Sequence, residues 1–291
     1  TMLSRWTEKN IYNLMVAPIV LFIIIMVAFP LVYTVYLSFT DWNMGVTAPE
    51  FLGLENYVDV LTDPQFWSDT GNTLYLAFGS VAIELVLGTC IAIVLNRPFR
   101  GKDVVKTLFL LPMVATPIAV GMVWQLIYEP TLGVANHFLK FLGLEPVMWL
   151  IDSNTVLNSL MIIEIWEWTP MVMLIVLAGL AGLPREVYES AQLDGAGKFQ
   201  LFRKITLPLL RPTLIVTALL RLIDALKTFD IIYATTQGGP LQASETVNLL
   251  AYKSIFSYFK MGRGAALIIC FLAEIGLCCA LFIILRKKTR E

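Results

Sequence analysis

From Ile11 to Thr40 the chain runs without a single charged residue. That run limits the fold more than any other feature, because it exceeds the ~20 apolar residues with which a helix crosses ~30 Å of hydrocarbon. Comparable runs recur at about Thr73–Leu95, Thr107–Tyr128, Leu157–Leu183, Pro212–Tyr233 and Gly264–Leu285. Lipid offers no partner for unpaired backbone N–H and C=O groups, so each run is expected to be helical. The first is too long for a cleavable signal peptide, and no small-residue cleavage site follows it. The reading is an all-α, polytopic membrane protein with six transmembrane helices, residues 1–291 forming one transmembrane domain.

Composition points the same way. The chain is 57% hydrophobic and 15% charged, against roughly 25% charged residues in a soluble domain. A net charge of −1 gives no support for a nucleic-acid partner. The distribution of basic residues carries the signal, since Lys and Arg concentrate on the cytoplasmic side. Arg5 and Lys9, then Arg97, Arg100, Lys102 and Lys106, then Arg185, Lys198, Arg203, Lys204 and Arg211, then Arg286, Lys287, Lys288 and Arg290 make fifteen of the 21 basic residues. The alternate connections hold Lys140, Lys253, Lys260 and Arg263, and the connection Asp41–Thr70 holds only acidic charges. Both termini are therefore expected in the cytoplasm.

Several chemistries find no residues to carry them. The one histidine, His137, falls in an expected outer loop, which excludes a multi-histidine zinc site within the chain. Arg100-Gly101-Lys102-Asp103 lacks the spacing and the hydroxyl of a phosphate-binding loop. Gly195 and Gly197 follow no strand and lack the third glycine of a dinucleotide fingerprint. Cys90, Cys270, Cys278 and Cys279 all lie within expected spans, where small apolar packing residues are the better reading than a disulfide, metal or redox site. A membrane enzyme would lack a catalytic constellation. If ATP is used, another chain binds it.

One segment contradicts the oil around it. Glu186 to Pro208 carries Glu186, Glu189, Asp194, Lys198, Arg203 and Lys204 between two apolar runs. Glu186–Leu193 reads as helix, Asp194-Gly195-Ala196-Gly197 breaks it, Phe199–Ile205 resumes helical spacing, and Pro208 is expected to end or kink it. This is a helix–turn–helix on the expected cytoplasmic face, suited to being gripped, so that force on it reaches both adjoining helices.

Charges inside the expected spans are Glu84, Glu164, Glu167, Arg221, Asp224, Lys227, Asp230 and Glu274. Each costs up to ~2.5–3.5 kcal/mol at a helix centre, so each should pair or face a cavity. Arg221, Asp224, Lys227 and Asp230 are spaced by three with alternating sign, which allows i,i+3 pairing along one helix. Two readings stay open: a self-neutralised ladder, or a polar stripe lining a ligand path together with Trp166, Glu167 and Trp168. Glu84 and Glu274 are expected to be interhelical contacts.

Glu189-Ser190-Ala191, then Gly195, then Ile205-x-Leu207-Pro208, resembles the "EAA" loop of permease subunits of binding-protein-dependent ABC importers, with Ser190 where alanine is usual. Leu37-Ser38-Phe39-Thr40-Asp41-Trp42, Gly53-Leu54-Glu55-Asn56-Tyr57, Leu110-Leu111-Pro112 and Thr235-Thr236-Gln237-Gly238-Gly239-Pro240 are similar, in the same order, to the carbohydrate-uptake branch and the maltose-transporter first permease subunit family. The resemblance implies a type I importer permease fold in a bacterial or archaeal cytoplasmic membrane. It also implies a second permease subunit, a separate ATPase dimer holding ATP and magnesium, and an extracytoplasmic sugar-binding protein. This chain would bind no cofactor and no metal. The loop at about 184–208 would be the ATPase-coupling element, through Glu189, Ser190, Ala191, Asp194 and Gly195. Counting from the motifs, the sugar path would fall near Met113 and Pro117, near Glu167, Trp168 and Met171, and near Arg221, Asp224, Ala225 and Thr228. Most of these residue types differ from the maltose permease, and paired charges suit a polyhydroxyl ligand such as another di- or oligosaccharide or a polyol. A self-sufficient secondary transporter or channel is the alternative. It gives no reason for the charged loop, and the inverted repeats common in such proteins are not seen.

Overall fold

The computed structural model describes residues 2–45 and 48–288; Arg290, one of the basic residues assigned to the cytoplasmic C-terminus, lies outside them. In chain order the elements are α1 (Met2–Ser38), a short antiparallel pair β1 (Thr40–Asp41) and β2 (Glu50–Phe51), α2 (Glu55–Thr62), α3 (Pro64–Leu95), α4 (Lys102–Val114), α5 (Pro117–Ile127) and α6 (Val134–Phe141). There follow α7 (Val156–Ala181), α8 (Arg185–Leu193), α9 (Lys198–Leu201), a π-helical turn (Phe202–Thr206), α10 (Leu207–Leu226), α11 (Asp230–Thr235), α12 (Val247–Tyr252), a second π turn (Lys253–Ser257) and α13 (Met261–Lys288). Among the described residues, α1, α3, α7 and α13 are long and apolar enough to cross a bilayer as single helices.

Two of the six expected spans are not single helices. The run Thr107–Tyr128 is the pair α4–α5, bent by 97°. The cause is local: Pro117 disfavours helical backbone in the residue before it, and Thr116 is extended at φ −72°, ψ 138°. The run Pro212–Tyr233 is α10, then a break, then the six residues of α11. Helix α10 spans 20 residues but carries Arg211, Arg221 and Asp224, so composition alone does not mark it as a span. Pro208, expected to end or kink a helix, does not end it. It sits in the first turn of α10, directly after the Phe202–Thr206 π turn, and the helix runs on from Lys198. A proline at the start of a turn removes a donor that the widened turn does not need.

The chain divides into two compact units. The first runs to Pro64 and takes in Ala251–Ala273. Asn56 is its hub: Nδ2 donates to Ser38 O at 3.0 Å and to Thr40 O at 2.9 Å. Tyr57 Oη lies 2.6 Å from Ser38 Oγ. Gly262 packs so closely on Thr40 O that a Cβ would collide with it. Arg263 bridges Asp59 (2.6 Å) and Asp63. The two sequence motifs Leu37–Trp42 and Gly53–Tyr57 are thus halves of one hydrogen-bonded cap.

The second unit comprises Gln65–Leu250 and the chain from Glu274 onward. Small residues let its helices approach. A Cβ on Gly88 of α3 would lie 2.6 Å from Val172 Cγ1 of α7, and one on Gly179 of α7 would lie 2.8 Å from Thr213 Cγ2 of α10. Around these contacts Ala92, Leu95, Val172, Met173, Val176, Leu180 and Leu210 form a buried apolar cluster. Gly121 of α5 seats against Ala234 of α11 in the same way. Gly88→Leu is expected to lower stability by about 1–3 kcal/mol through overpacking. Gly71→Leu, where a Cβ meets nothing within 4 Å, should leave the thermal midpoint of the purified protein in detergent unchanged.

Candidate functional site

Three helices converge on one guanidinium. Arg221 of α10 donates from Nε to Glu84 Oε2 of α3 at 2.7 Å and from Nη2 to Glu84 Oε1 at 3.0 Å. The planar fork of arginine matches a carboxylate in this two-bonded manner. Nη2 also donates to Glu164 Oε1 of α7 at 3.1 Å. One helical turn along α7, the Trp168 ring lies beneath the guanidinium, its centroid 4.8 Å from Cζ, within range of a cation–π contact. Arg221 is 1% exposed and Glu84 0%. Charges so buried persist only with partners, and here the two carboxylates come from two other helices, α3 and α7.

A cleft of about 140 Å³ opens beside this group, lined by Pro117, Glu164, Trp168, Arg221, Asp224, Lys227, Thr228, Phe229, Asp230 and Ile231. It forms where α10 stops. Lys227 ends that helix, and the carbonyl it exposes accepts a hydrogen bond from Asn248 Nδ2 at 3.0 Å. Non-helical backbone is tolerated at membrane depth only where protein or a polar cavity satisfies it. Thr228 Oγ1, in the break, donates to Glu164 Oε1 at 3.3 Å, while Glu164 Oε2 has no hydrogen-bond partner among the described residues.

The four-charge ladder along one helix does not form. Arg221 turns to Glu84 and Glu164, Lys227 Nζ pairs with Asp224 Oδ1 at 3.3 Å, and Asp230 starts α11 beyond the break. A guanidinium deep in the protein gains more from two buried carboxylates than from one half-exposed Asp224. Of the residues counted from the motifs, Pro117, Trp168, Arg221, Asp224 and Thr228 line the cleft. Met113, Glu167, Met171 and Ala225 do not. Met113 and Met171 are half-buried, Glu167 is buried with Oε2 unpartnered, and Ala225 packs into an apolar cluster with Ala77, Val81, Leu222 and Leu226. Glu84 makes the interhelical contact expected of it. Phe229 and Ile231 had no signal in the sequence, because only the break turns them toward the cleft. Glu164 had one: an ionisable residue in an apolar run, a helical turn from Trp168.

The charged loop is a second site. α8 ends in a Schellman motif: Ala196 N donates to Ala191 O at 2.9 Å, Gly195 N donates to Gln192 O at 3.0 Å, and Gly195 takes φ +80°. Such a backbone favours glycine. Gly197 N donates to Gln200 Oε1 at 3.1 Å and so caps α9. Tyr188 Oη lies 2.9 Å from Thr206 Oγ1, which ties α8 to the π turn. Glu189, Ser190, Asp194 and Gly195 are exposed and Ala191 half-buried. Leu193 is 89% and Phe199 72% exposed. Behind the loop, a cavity of about 840 Å³ is lined by Arg97, Glu189, Gln192 and Lys198 among others.

Apolar spanning helices, two of the runs broken around a charged cleft, and a rigid exposed helix–turn–helix between α7 and α10 define a membrane permease. The chain belongs to the family of binding-protein-dependent transport system inner membrane components, which it matches over residues 84–287, and it is a permease subunit of an ABC importer. It is 40% identical over 252 residues to a probable ABC transporter permease of Sinorhizobium fredii, covering 86% of this chain and 81% of that one. It is 36% identical to the trehalose/maltose transport permease of Thermococcus litoralis, covering 89% and 86%. A chain of a bacterial ABC transporter that imports alginate superposes with a TM-score of 0.86 over the full length of both chains, at 20% identity, and so shares the fold. Family membership sets aside the self-sufficient secondary transporter.

Removing one member of a buried ionic group leaves the others uncompensated. Arg221→Leu is therefore expected to lower stability by roughly 3–5 kcal/mol. Asp224→Asn, which breaks a half-exposed pair, should change it by less than about 1 kcal/mol. Thermal unfolding of the purified variants in detergent checks both, and equal midpoints would show that the Arg221 group does not hold the helices together.

Proposed function

We propose that this permease carries a sugar or polyol through the cleft beside Arg221 and is driven by a separate ATPase gripping the 184–208 loop. The observation that carries the sugar reading is the cleft itself. It combines fixed carboxylates, an ammonium and a hydroxyl with the indole of Trp168, and a polyhydroxyl ligand needs both hydrogen-bonding groups and an aromatic face. The names of relatives agree in kind: trehalose/maltose for the Thermococcus litoralis permease and trehalose for one from Mycobacterium tuberculosis.

In this reading the chain forms half of the pathway beside a second permease subunit. An extracytoplasmic binding protein delivers the sugar. ATP and magnesium bind to the ATPase dimer, not to this chain. The loop faces the cytoplasm, as do both termini, in keeping with the basic residues there. Glu189 offers a charge to a basic residue of the ATPase, Leu193 and Phe199 offer apolar contact, and Gly195 keeps the turn tight.

Glu189→Lys and Gly195→Pro are expected to leave the chain inserted while lowering both recovery of the ATPase with the complex and sugar uptake in proteoliposomes. Full uptake by both variants would overturn the coupling assignment. Asp224→Asn removes an acceptor whose hydrogen bond is worth ~1.5–3 kcal/mol when charged, so uptake should fall about tenfold or more with the ATPase still bound. Unchanged uptake across a panel of neutral sugars would move the path elsewhere.

A further inference from the structure

Two cations border the cleft, and both have a carboxylate partner. The Arg221 guanidinium is forked onto Glu84, bonded to Glu164 and stacked on Trp168. Lys227 Nζ is paired with Asp224. The carboxylates are not all committed. Glu164 Oε2 accepts no hydrogen bond among the described residues. Asp230, which lines the cleft, makes no hydrogen bond or ion pair among them either. Glu167 stands close enough to interact electrostatically with both Glu164 and Asp230. In the cleft lining, the carboxyl groups of Glu164, Asp224 and Asp230 face the two cations Arg221 and Lys227, and Arg221 is already forked onto Glu84 behind it. A cleft with low-dielectric walls and charge of one sign in excess focuses the field of that sign.

We infer that the cleft is a charge filter. It takes neutral polyhydroxyl ligands, whose hydroxyl hydrogens are donated to Glu164, Asp224 and Asp230. It turns away sugars bearing a carboxylate, sulfonate or phosphate, for which it has no cation without a carboxylate partner and several repelling carboxylates. The filter rests on the cleft being the transport path.

The field can be measured without knowing the sugar. In the assembled complex, with Cys90, Cys270, Cys278 and Cys279 replaced by serine, Thr228→Cys places a thiol in the cleft. Its reaction rates are compared for a neutral hydroxyethyl, a cationic trimethylammonium-ethyl and an anionic sulfonatoethyl methanethiosulfonate, each normalised to its rate with a free thiol in solution. The cationic reagent is expected to react at least tenfold faster than the anionic one. Adding Asp230→Asn, or Glu167→Gln if that variant fails to assemble with the ATPase, should shrink the ratio at least threefold. A ratio near one, or a ratio indifferent to both neutralising changes, overturns the filter and leaves the path standing. No reaction even with the neutral reagent overturns both, because the cleft would then not be a water-filled path.

Discussion

Arg221 is the interaction on which the second unit depends. Its partners Glu84 and Glu164 stand 137 and 57 residues away along the chain, on α3 and α7. One side chain thus brings three helices to a common depth. Burying such a group stabilises no better than a well-packed apolar set, and often less well. Its contribution is geometric: the guanidinium can satisfy two carboxylates and an indole in only one arrangement, and that arrangement forms the cleft wall. Close approach through Gly88 and Gly179 makes the arrangement possible, because bulkier residues would hold the three helices too far apart for hydrogen bonds near 3 Å.

The breaks in the helices follow from the same need. A continuous helix spends its backbone polarity on itself and presents only side chains. Where α10 stops at Leu226, Thr228, Phe229 and Asp230 turn toward the cavity, and Asn248 takes up the carbonyl left over. The bend at Thr116 brings Pro117 into the same lining, with α5 held on α11 through Gly121. Two breaks from different parts of the chain therefore meet at one cleft.

Continuous helix joins the charged loop to the cleft. α9, the Phe202–Thr206 π turn and α10 form one unbroken helical path from Lys198 to Leu226, with Arg221 near its far end. The Tyr188–Thr206 contact and the Schellman turn at Gly195 fix α8 to its start.

The solvent the protein lives in, the helical class, the charged loop with its glycine turn, and the order of motifs that place the chain among importer permeases are all legible along the chain. These are properties of local composition and short spacing, so they survive without knowledge of the fold. The sequence also showed that Arg221 and Glu164 needed partners, since an ionisable residue in an apolar run must find one. Which partners they found followed from the packing of distant segments. The regular spacing of Arg221, Asp224, Lys227 and Asp230 suggested a ladder, but a period of three is useful only while the helix continues, and α10 ends at Leu226. Whether a helix stops there depends on Asn248 and on a neighbouring α5, both remote in sequence. Glu84 meets Arg221 because α3 packs on α10 through Ala77, Val81, Leu222 and Leu226, and no local pattern encodes which of several buried acids a single guanidinium will meet.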